Sequence, residues 1–219
     1  MDVVIAGAHG QIARRLTRLL AARGDRVRGI IRNPDHAADL ESDGAEPVVL
    51  DLEQDDADVA GAVAGADAIV FAAGAGPNSG PERKQTVDLG AAVKLIDAAK
   101  AQNVGRYLMV GSIGAHDPSS GPEEMRPYLE AKAKADEALQ QSGLEYTIIR
   151  PGGLTDDPGT GKVSLSTDFG HRAQVTRDDV ALLLATALTV PETIGLTFEA
   201  FNGEQEVELA LRALAREES

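Results

Sequence analysis

Short apolar runs alternate along this chain with longer segments in which apolar residues recur at helical spacing. The apolar runs are rich in Val, Ile and Leu, as is typical of strands that are buried on both faces of a parallel sheet. Glycine, proline or acidic residues bound most of them. This pattern predicts strands over residues 3–6, 25–31, 45–50, 67–71, 106–110 and 145–150.

The segments between these strands have the periodicity of amphipathic helices. In the first, Leu16, Leu19 and Leu20 are expected to share one face. The others are predicted over residues 34–42, 55–64, 81–102 and 122–142. Strands that alternate with helices predict an α/β fold with a doubly wound parallel sheet, the Rossmann fold, whose ligand crevice lies at the carboxyl ends of the strands.

The remaining residues, about 155–219, are too few for a second domain, so we expect a single domain, 1–219, with a small C-terminal lobe on the substrate side. Short strands are predicted over 163–165, 173–175 and 196–201. A helix over 176–189 has Thr176 as its expected N-cap with Asp179 three residues later. A terminal helix is predicted over 205–217.

A glycine-rich turn joins the first strand to the first helix. Gly7 allows a sharp turn, Gly10 leaves room for a pyrophosphate, and the small Ala13 lets the helix pack close to the sheet. The free N–H groups at the start of that helix favour phosphate. The turn therefore predicts a dinucleotide site that includes Gly7, Ala8, His9, Gly10, Gln11 and Ile12.

The end of the second strand indicates which dinucleotide is bound. An acidic residue at this place binds the ribose 2′-hydroxyl of NAD, whereas an arginine accommodates the 2′-phosphate of NADP. The chain has Arg32 here and no acidic residue at the strand end. Because a guanidinium suits phosphate geometry, NADP is favoured over NAD.

Two further strand ends add residues to the predicted cofactor site. Asp51 and Leu52 follow the third strand, where the carboxylate of Asp51 would meet the adenine amino group or, alternatively, cap the next helix. The small residues Ala72, Ala73 and Gly74 follow the fourth strand and would allow the cofactor to pass closely.

Composition excludes several classes of function. The formal net charge of −14 argues against nucleic-acid and anionic membrane surfaces, which need basic patches. With no cysteine and four scattered histidines, neither disulfides nor a metal site is expected. No apolar run is long enough to span a membrane and no signal peptide is evident, so we expect a cytoplasmic protein.

Candidate chemistry lies in the fifth strand and the helix that follows it. Tyr128 and Lys132 are one helical turn apart and share a face, so the ammonium would favour the phenolate. Lys132 would also bind the nicotinamide ribose. Ser112, at the end of the neighbouring strand, would hydrogen-bond a substrate oxygen while Tyr128 exchanges a proton with it.

Together, Gly7-x-x-Gly10-x-x-Ala13, Ser112, Tyr128-x-x-x-Lys132 and Arg150-Pro151-Gly152 make the chain resemble the short-chain dehydrogenase/reductase superfamily. The short C-terminal part resembles its atypical branch, near the NmrA-like and nucleotide-sugar epimerase groups. The resemblance implies that Ser112 orients the substrate, that Tyr128 is the acid/base, that Lys132 tunes Tyr128 and holds the ribose, and that the backbone after Pro151, with Gly152, lies along the nicotinamide.

Two features depart from the family pattern. Many active members carry a catalytic Asn in the middle of the helix predicted over 81–102, where this chain offers Asp88 and Lys94. The C-terminal part is smaller than the substrate domain of sugar epimerases. His116 and His171 are further candidates for the substrate pocket, although an exposed loop position is the simpler interpretation of His116.

Three functions follow from this pattern: an NADP-dependent oxidoreductase acting on a small carbonyl or alcohol, a non-catalytic NADP sensor, and an epimerase that uses hydride transiently. The pair Tyr128 and Lys132 favours the first. The predicted partner is a small-molecule substrate, and the helices over 81–102 and 122–142 could pair in a homodimer.

Overall fold

The computed structural model describes residues 1–74, 80–170 and 173–218. Within these residues the chain forms a nine-stranded sheet and a separate two-stranded sheet. The strands, numbered in chain order, are β1 (Asp2–Ala6), β2 (Arg26–Ile31), β3 (Glu46–Val49), β4 (Ala68–Phe71), β5 (Arg106–Val110), β6 (Glu145–Pro151), β7 (Gly153–Thr155), β8 (Lys162–Ser166), β9 (Gln174–Thr176), β10 (Leu196–Asn202) and β11 (Gln205–Glu206).

The large sheet has the order β11-β8-β10-β6-β5-β4-β1-β2-β3. From β10 to β3 every neighbouring pair is parallel, whereas β8 is antiparallel to both β10 and β11. The chain runs from β1 outward to β3 and then returns to place β4 on the other side of β1. The carboxyl ends of β1 and β4 therefore form the switch point at which open α/β sheets bind ligands.

Helices cover both faces of the sheet. They are α1 (Gln11–Arg23), α2 (Ala37–Asp43), α3 (Val59–Val63), α4 (Pro81–Arg83), a π-helical segment (Lys84–Ala91), α5 (Ala92–Ala101), α6 (Arg126–Gln140), α7 (Arg177–Ala187) and α8 (Val207–Glu217). Short 3₁₀ turns cover Pro34–His36, Pro118–Ser120, Glu123–Met125 and Pro191–Thr193.

Alternate residues of β1 lie in different apolar cores. Val3 and Ile5 pack with residues of α1, α7 and α8 on one face. Val4 and Ala6 pack with residues of α3, α5 and α6 on the other. Both faces of the strand are buried, which is why its sequence is continuously apolar. The predicted doubly wound sheet is thereby confirmed as a mostly parallel sheet with helices on both sides.

The structure differs from several of the predicted elements, among them α1, α3 and the helix predicted over 81–102. Leu19 does not share the buried face of α1, since it is 39% exposed while Leu16 and Leu20 are fully buried. The helix predicted over 55–64 shortens to Val59–Val63, because Asp58 caps it by accepting a hydrogen bond from the Gly61 N–H at 2.8 Å. The helix predicted over 81–102 has a π-helical middle, Lys84–Ala91.

The C-terminal part largely extends the main sheet. The predicted strand over 196–201 is β10, parallel to β6, and β8 and β11 complete the edge. Thr176 caps α7 as predicted, because its Oγ1 accepts the Asp179 N–H at 3.0 Å. The Asp179 carboxylate instead accepts N–H groups of residues 160 and 161, which ties the loop before β8 to α7.

Among the helices of the described residues, none combines the length and the apolar character that crossing a bilayer requires. The cytoplasmic location stays a prediction.

Candidate cofactor and substrate site

The turn after β1 lies against the end of β4. Gly7 has a φ of +76°, and a Cβ on it would lie 2.5 Å from the Ala73 Cα, so both the backbone conformation and the close approach require glycine. The Gly10 N–H donates to the Gly7 carbonyl oxygen at 2.9 Å and α1 begins at the next residue. Ala13 is fully buried, as its predicted role in close packing requires.

A cavity of about 390 Å³ opens at this switch point. It extends from the glycine turn across the ends of β1 and β4 to the end of β2. The residues that line it are Gly7, His9, Gly10, Ile30, Ile31, Arg32, Asn33, His36, Leu50, Asp51, Leu52, Glu53, Ala72, Ala73, Gly74, Arg83, Val87 and Ala91.

At one end of this cavity, two arginines share one carboxylate. Arg32 Nη1 lies 2.9 Å and Arg83 Nη2 3.1 Å from Glu53 Oε2, while the Thr86 hydroxyl donates to Glu53 Oε1 at 2.6 Å. Burial alone would raise the pKa of Glu53, but the bonds from Thr86 and Arg83 outweigh it and leave that pKa lowered. Arg32 remains 53% exposed, with its guanidinium accessible to a ligand.

Two histidines form another part of the same wall. The rings of His9 and His36 stack with their centroids 3.6 Å apart, which joins the glycine turn to the segment after β2. His9 Nε2 lies 2.8 Å from Asp39 Oδ2 and Arg14 Nη1 lies 3.5 Å from the same oxygen. The bond from His9 and the charge of Arg14 lower the pKa of Asp39.

A second cavity, of about 710 Å³, adjoins the first and shares Gly74 with it. It lies at the ends of β5 and β6. Its lining is mostly small and apolar: Gly74, Lys84, Ser112, Ile113, Gly114, His116, Ser120, Gly121, Pro122, Met125, Tyr128, Leu129, Pro151, Gly152, Gly153, Leu154 and Gly170.

Lys132 lies beneath the second cavity and is only 3% exposed. Its Nζ lies 3.4 Å from Asp88 Oδ1, donates to the Val110 carbonyl oxygen at 3.1 Å and lies 5.9 Å from the centroid of the Tyr128 ring. Burial lowers the pKa of Lys132, but Tyr128, Asp88 and Asp136 together outweigh that effect and raise it. The lysine is therefore held as an ammonium next to Tyr128.

A second buried ion pair adjoins this one. Arg150 Nε donates to Asp136 Oδ2 at 2.9 Å, and both side chains are almost fully buried. Burial raises the pKa of Asp136, and the charges of Arg150 and Lys132 only partly oppose that rise. Asp136 is one helical turn after Lys132 on α6, so the same helix face that carries Tyr128 continues into a buried polar layer.

The predicted site residues are divided between the two cavities. The cofactor residues that line the first cavity are Gly7, His9, Gly10, Arg32, Asp51, Leu52, Ala72, Ala73 and Gly74. Ser112, Tyr128, Pro151 and Gly152 line the second. Lys132 is buried between Phe71 and Tyr128, with its Nζ 5.7 Å and 5.9 Å from their ring centroids.

Four residues predicted for the cofactor site contribute no lining to either cavity: Lys132, which is buried beside Tyr128, and Ala8, Gln11 and Ile12. Ala8 is fully buried, and its N–H donates to the Ile30 carbonyl oxygen. Gln11 is exposed in the first turn of α1, and Ile12 packs against an apolar core. The alternative of Asp51 as a helix cap is wrong, because Asp51 Oδ1 accepts the Glu53 N–H in a turn and α3 is capped by Asp58.

Sequence reasoning missed several residues that line the first cavity, namely Asn33, His36, Glu53, Arg83, Val87 and Ala91. No local motif marks them, because they come from three separate connections between strands, the last of which contains the π-helical segment. Of the two polar candidates in the predicted long helix, Asp88 contacts Lys132. Lys94 donates instead to the Gln54 carbonyl oxygen at 2.8 Å and holds the loop that carries Glu53.

His116 lies exposed in the loop after β5, as the simpler interpretation expected, and it also lines the second cavity. Its side chain is 27% exposed and Nδ1 lies 3.9 Å from the buried carboxylate of Glu199. The other histidine candidate, His171, lies outside the described residues.

The first cavity fits a dinucleotide. Gly7 and Gly10 leave the backbone open beside the start of α1, and arginines stand at the far end of the cavity. A family model for NAD(P)H-binding proteins matches residues 7–191. The chain belongs to this NAD(P)H-binding family. The expected NAD(P)-binding family is thereby confirmed.

Relatives in this family extend over nearly the whole chain. An uncharacterised sugar epimerase of Bacillus subtilis (strain 168), YhfK, is 40% identical over 98% of this chain and 100% of its own length. A solved structure from Bacillus halodurans, provisionally named an NAD-dependent epimerase/dehydratase, is 40% identical with a TM-score of 0.92, covering 97% of this chain and 99% of its own.

An anaerobilin reductase from Escherichia coli O157:H7 is 25% identical to this chain. Its TM-score is 0.77, and the match covers 94% of this chain and 99% of that one. The family thus contains proteins named as reductases and others named as epimerases, and it binds nicotinamide cofactors.

Proposed function

We propose that this protein is an NADP-dependent oxidoreductase that acts on a small carbonyl or alcohol. The observation that carries the proposal is the meeting of the two cavities at Gly74, with Ser112 and Tyr128 in the lining of the second cavity and the Lys132 ammonium buried beside Tyr128. A dinucleotide in the first cavity would extend its nicotinamide end toward the second.

NADP rather than NAD is supported by the arginines at the end of the first cavity. Arg32 comes directly after β2, where the adenosine ribose binds in this fold. The Arg32 side chain is about half exposed. Arg83 contacts the same Glu53 carboxylate and so brings a second guanidinium to this end of the cavity. Two guanidinium groups against one carboxylate leave a net positive charge there, which suits a 2′-phosphate better than a 2′-hydroxyl.

The residues around the second cavity supply acid/base chemistry and orientation. The Tyr128 hydroxyl would donate a proton to the oxygen of a bound carbonyl compound, or accept one from an alcohol, and the Ser112 hydroxyl would donate a hydrogen bond to the same oxygen. The buried ammonium of Lys132 would favour the phenolate form that this exchange passes through. The nicotinamide, when bound, supplies or accepts the hydride.

Lys132 has several partners. Besides Asp88 and the Val110 carbonyl oxygen, its Nζ lies 3.5 Å from the carbonyl oxygen of Ala73, a residue that lines the cofactor cavity. An ammonium has three protons to donate. We propose that the bond to a cofactor ribose replaces the long bond to Ala73.

The test is a panel of aldehydes, ketones and quinones with NADPH, followed by absorbance and by product analysis. Oxidation of NADPH with stoichiometric formation of an alcohol or hydroquinone is expected for at least one class. Tight NADPH binding with no turnover on any of them would contradict the proposal and favour the sensor. Conversion of a sugar nucleotide without net NADPH oxidation would favour an epimerase.

A further inference from the structure

The second cavity differs in charge from the protein around it. The chain has 35 acidic and 21 basic residues, yet no Asp or Glu lines this cavity among the described residues. Its two ionisable nitrogen bases are instead Lys84 and His116. A cavity without carboxylates in so acidic a protein favours an anionic ligand over a cationic one.

The His116 side chain contacts a buried carboxylate and an aromatic ring. Its Nδ1 lies 3.9 Å from Oε1 of Glu199, which is fully buried on β10 and also accepts the Gly170 N–H at 3.2 Å. The ring of Phe169 packs against the imidazole with the centroids 5.6 Å apart. The separation between Nδ1 and Oε1 is too long for a hydrogen bond, but it places the carboxylate on the Nδ1 side of the ring and leaves Nε2 for a ligand.

A glycine lies beside that other nitrogen. Gly170 has a φ of +102°, and a Cβ on it would lie 3.7 Å from His116 Nε2. Much of the remaining lining is apolar, including Ile113, Met125 and Leu154. Met125 and Leu154 are 39% and 38% exposed, so apolar surface continues to the cavity mouth.

We propose that the second cavity binds an apolar compound that carries a carboxylate, and that His116, positioned by Glu199, donates a hydrogen bond to that carboxylate while Lys84 adds positive charge. If the same compound also presents a reducible carbonyl to Ser112 and Tyr128, that role rests on the proposed function. The carboxylate site itself does not, because His116 and Lys84 take no part in the proposed reaction.

Two probes that differ only in the carboxylate measure its contribution to the binding affinity. 2-Naphthoate and 2-naphthamide have the same apolar body, and neither has a carbonyl that the proposed reaction would reduce. Their affinities are measured by calorimetry with and without NADP⁺. We expect the protein to bind naphthoate about 10-fold more tightly than naphthamide, as one charge-assisted hydrogen bond would produce. Equal affinities, or no heat with naphthoate, would overturn the proposal.

Variants of His116 and Glu199 test whether these residues cause the preference for naphthoate over naphthamide. His116→Gln should remove most of the naphthoate preference while naphthamide binding stays within about 2-fold. Glu199→Gln should reduce the preference less, because it loosens the imidazole without removing it. His116→Phe provides a second test if the first variant is unstable. Lys100→Met removes a positive charge at the exposed end of α5 and should change nothing. A preference that survives in both His116 variants would overturn the proposal.

The two proposals can fail separately. A naphthoate preference that depends on His116, found in a protein that turns over none of the carbonyl panel, would leave the carboxylate site standing and remove the oxidoreductase. Turnover of neutral carbonyl compounds with no naphthoate preference would do the reverse.

Discussion

Lys132 Nζ lies 3.4 Å from Asp88 Oδ1, and the two side chains are 4% and 0% exposed. Removing one partner from a buried pair leaves a charge without compensation, which costs about 3–5 kcal/mol. Asp88→Asn and Lys132→Met should therefore each lower the free energy of unfolding. The double variant should lose about 1–3 kcal/mol less than the sum of the two, as measured by urea denaturation.

An exposed ion pair provides the matched control for the buried pair of Lys132 and Asp88. Arg212 and Glu192 form an ion pair in which the side chains are 35% and 49% exposed. The cycle of Arg212→Met and Glu192→Gln should give a coupling of less than about 1 kcal/mol, since solvent screens the pair. Additive effects at Asp88 and Lys132 would show that the two charges do not stabilise each other.

Gly7 provides a test of the close approach between the turn and β4. Gly7→Ala places a methyl group against Ala73 as well as forcing a positive φ on alanine. Gly65→Ala forces a similar φ, +71°, with nothing within 4 Å of the added Cβ. We expect Gly65→Ala to cost about 1–2 kcal/mol of stability and to leave nucleotide binding intact. Gly7→Ala should cost more and abolish binding of NADPH in calorimetry.

If Gly7→Ala and Gly65→Ala lose equal stability and both retain NADPH affinity, the contact between Gly7 and Ala73 does not shape the cofactor cavity.

Arg32 is the test of cofactor preference. Arg32→Ala removes a guanidinium that lies 2.9 Å from Glu53. If Arg32 binds the 2′-phosphate, affinity for NADPH should fall by about 10–100-fold, while affinity for NADH changes by less than about 3-fold. Fluorescence titration with both nucleotides measures the ratio. Equal losses for the two nucleotides would mean that Arg32 makes no contact with the phosphate.

Asp43 links α1 to α2 and makes stability depend on pH. Burial raises the pKa of its carboxyl, but the bonds from Arg14 and Arg18 outweigh this and lower it below its ordinary 3.8. A lowered folded pKa stabilises the protein above pH 3.8, and the contribution is lost as the pH falls through the folded value. Asp43→Asn should destabilise the protein at neutral pH and flatten the loss of stability in acid.

Urea denaturation at several pH values measures this, with Asp97→Asn as the control on an exposed face of α5. An Asp43→Asn protein whose stability falls in acid as steeply as that of the unchanged chain would contradict the assignment.

Local sequence patterns predicted most of the fold. The apolar runs predicted seven strands of the parallel sheet because residues buried on both faces must be continuously apolar. Leu19 shows the limit of that reasoning: its position on α1 fits an apolar stripe, but the neighbouring helix α7 covers only part of that helix surface. Which of two adjacent leucines is buried depends on tertiary packing, which periodicity does not contain.

The lining of the two cavities was predictable where a local motif marks a residue and not where distant segments meet. Gly7, Arg32 and Tyr128 line the cavities as predicted, because strand ends and helical spacing mark them. Glu53 and Arg83 were missed because they meet only when the segment after β3 and the segment after β4 fold together. The contact between His116 and Glu199 joins residues that are 83 positions apart, and no spacing in the sequence signals it.

The central claim is that Tyr128 exchanges a proton at the junction of the two cavities, and Tyr128→Phe tests it most directly. With the best carbonyl substrate of the panel, kcat should fall by about 10²–10⁴-fold, because the phenol supplies general acid/base catalysis. The dissociation constant for NADPH should stay within about 2-fold. A Tyr128→Phe protein that keeps the kcat of the unchanged chain would contradict the account.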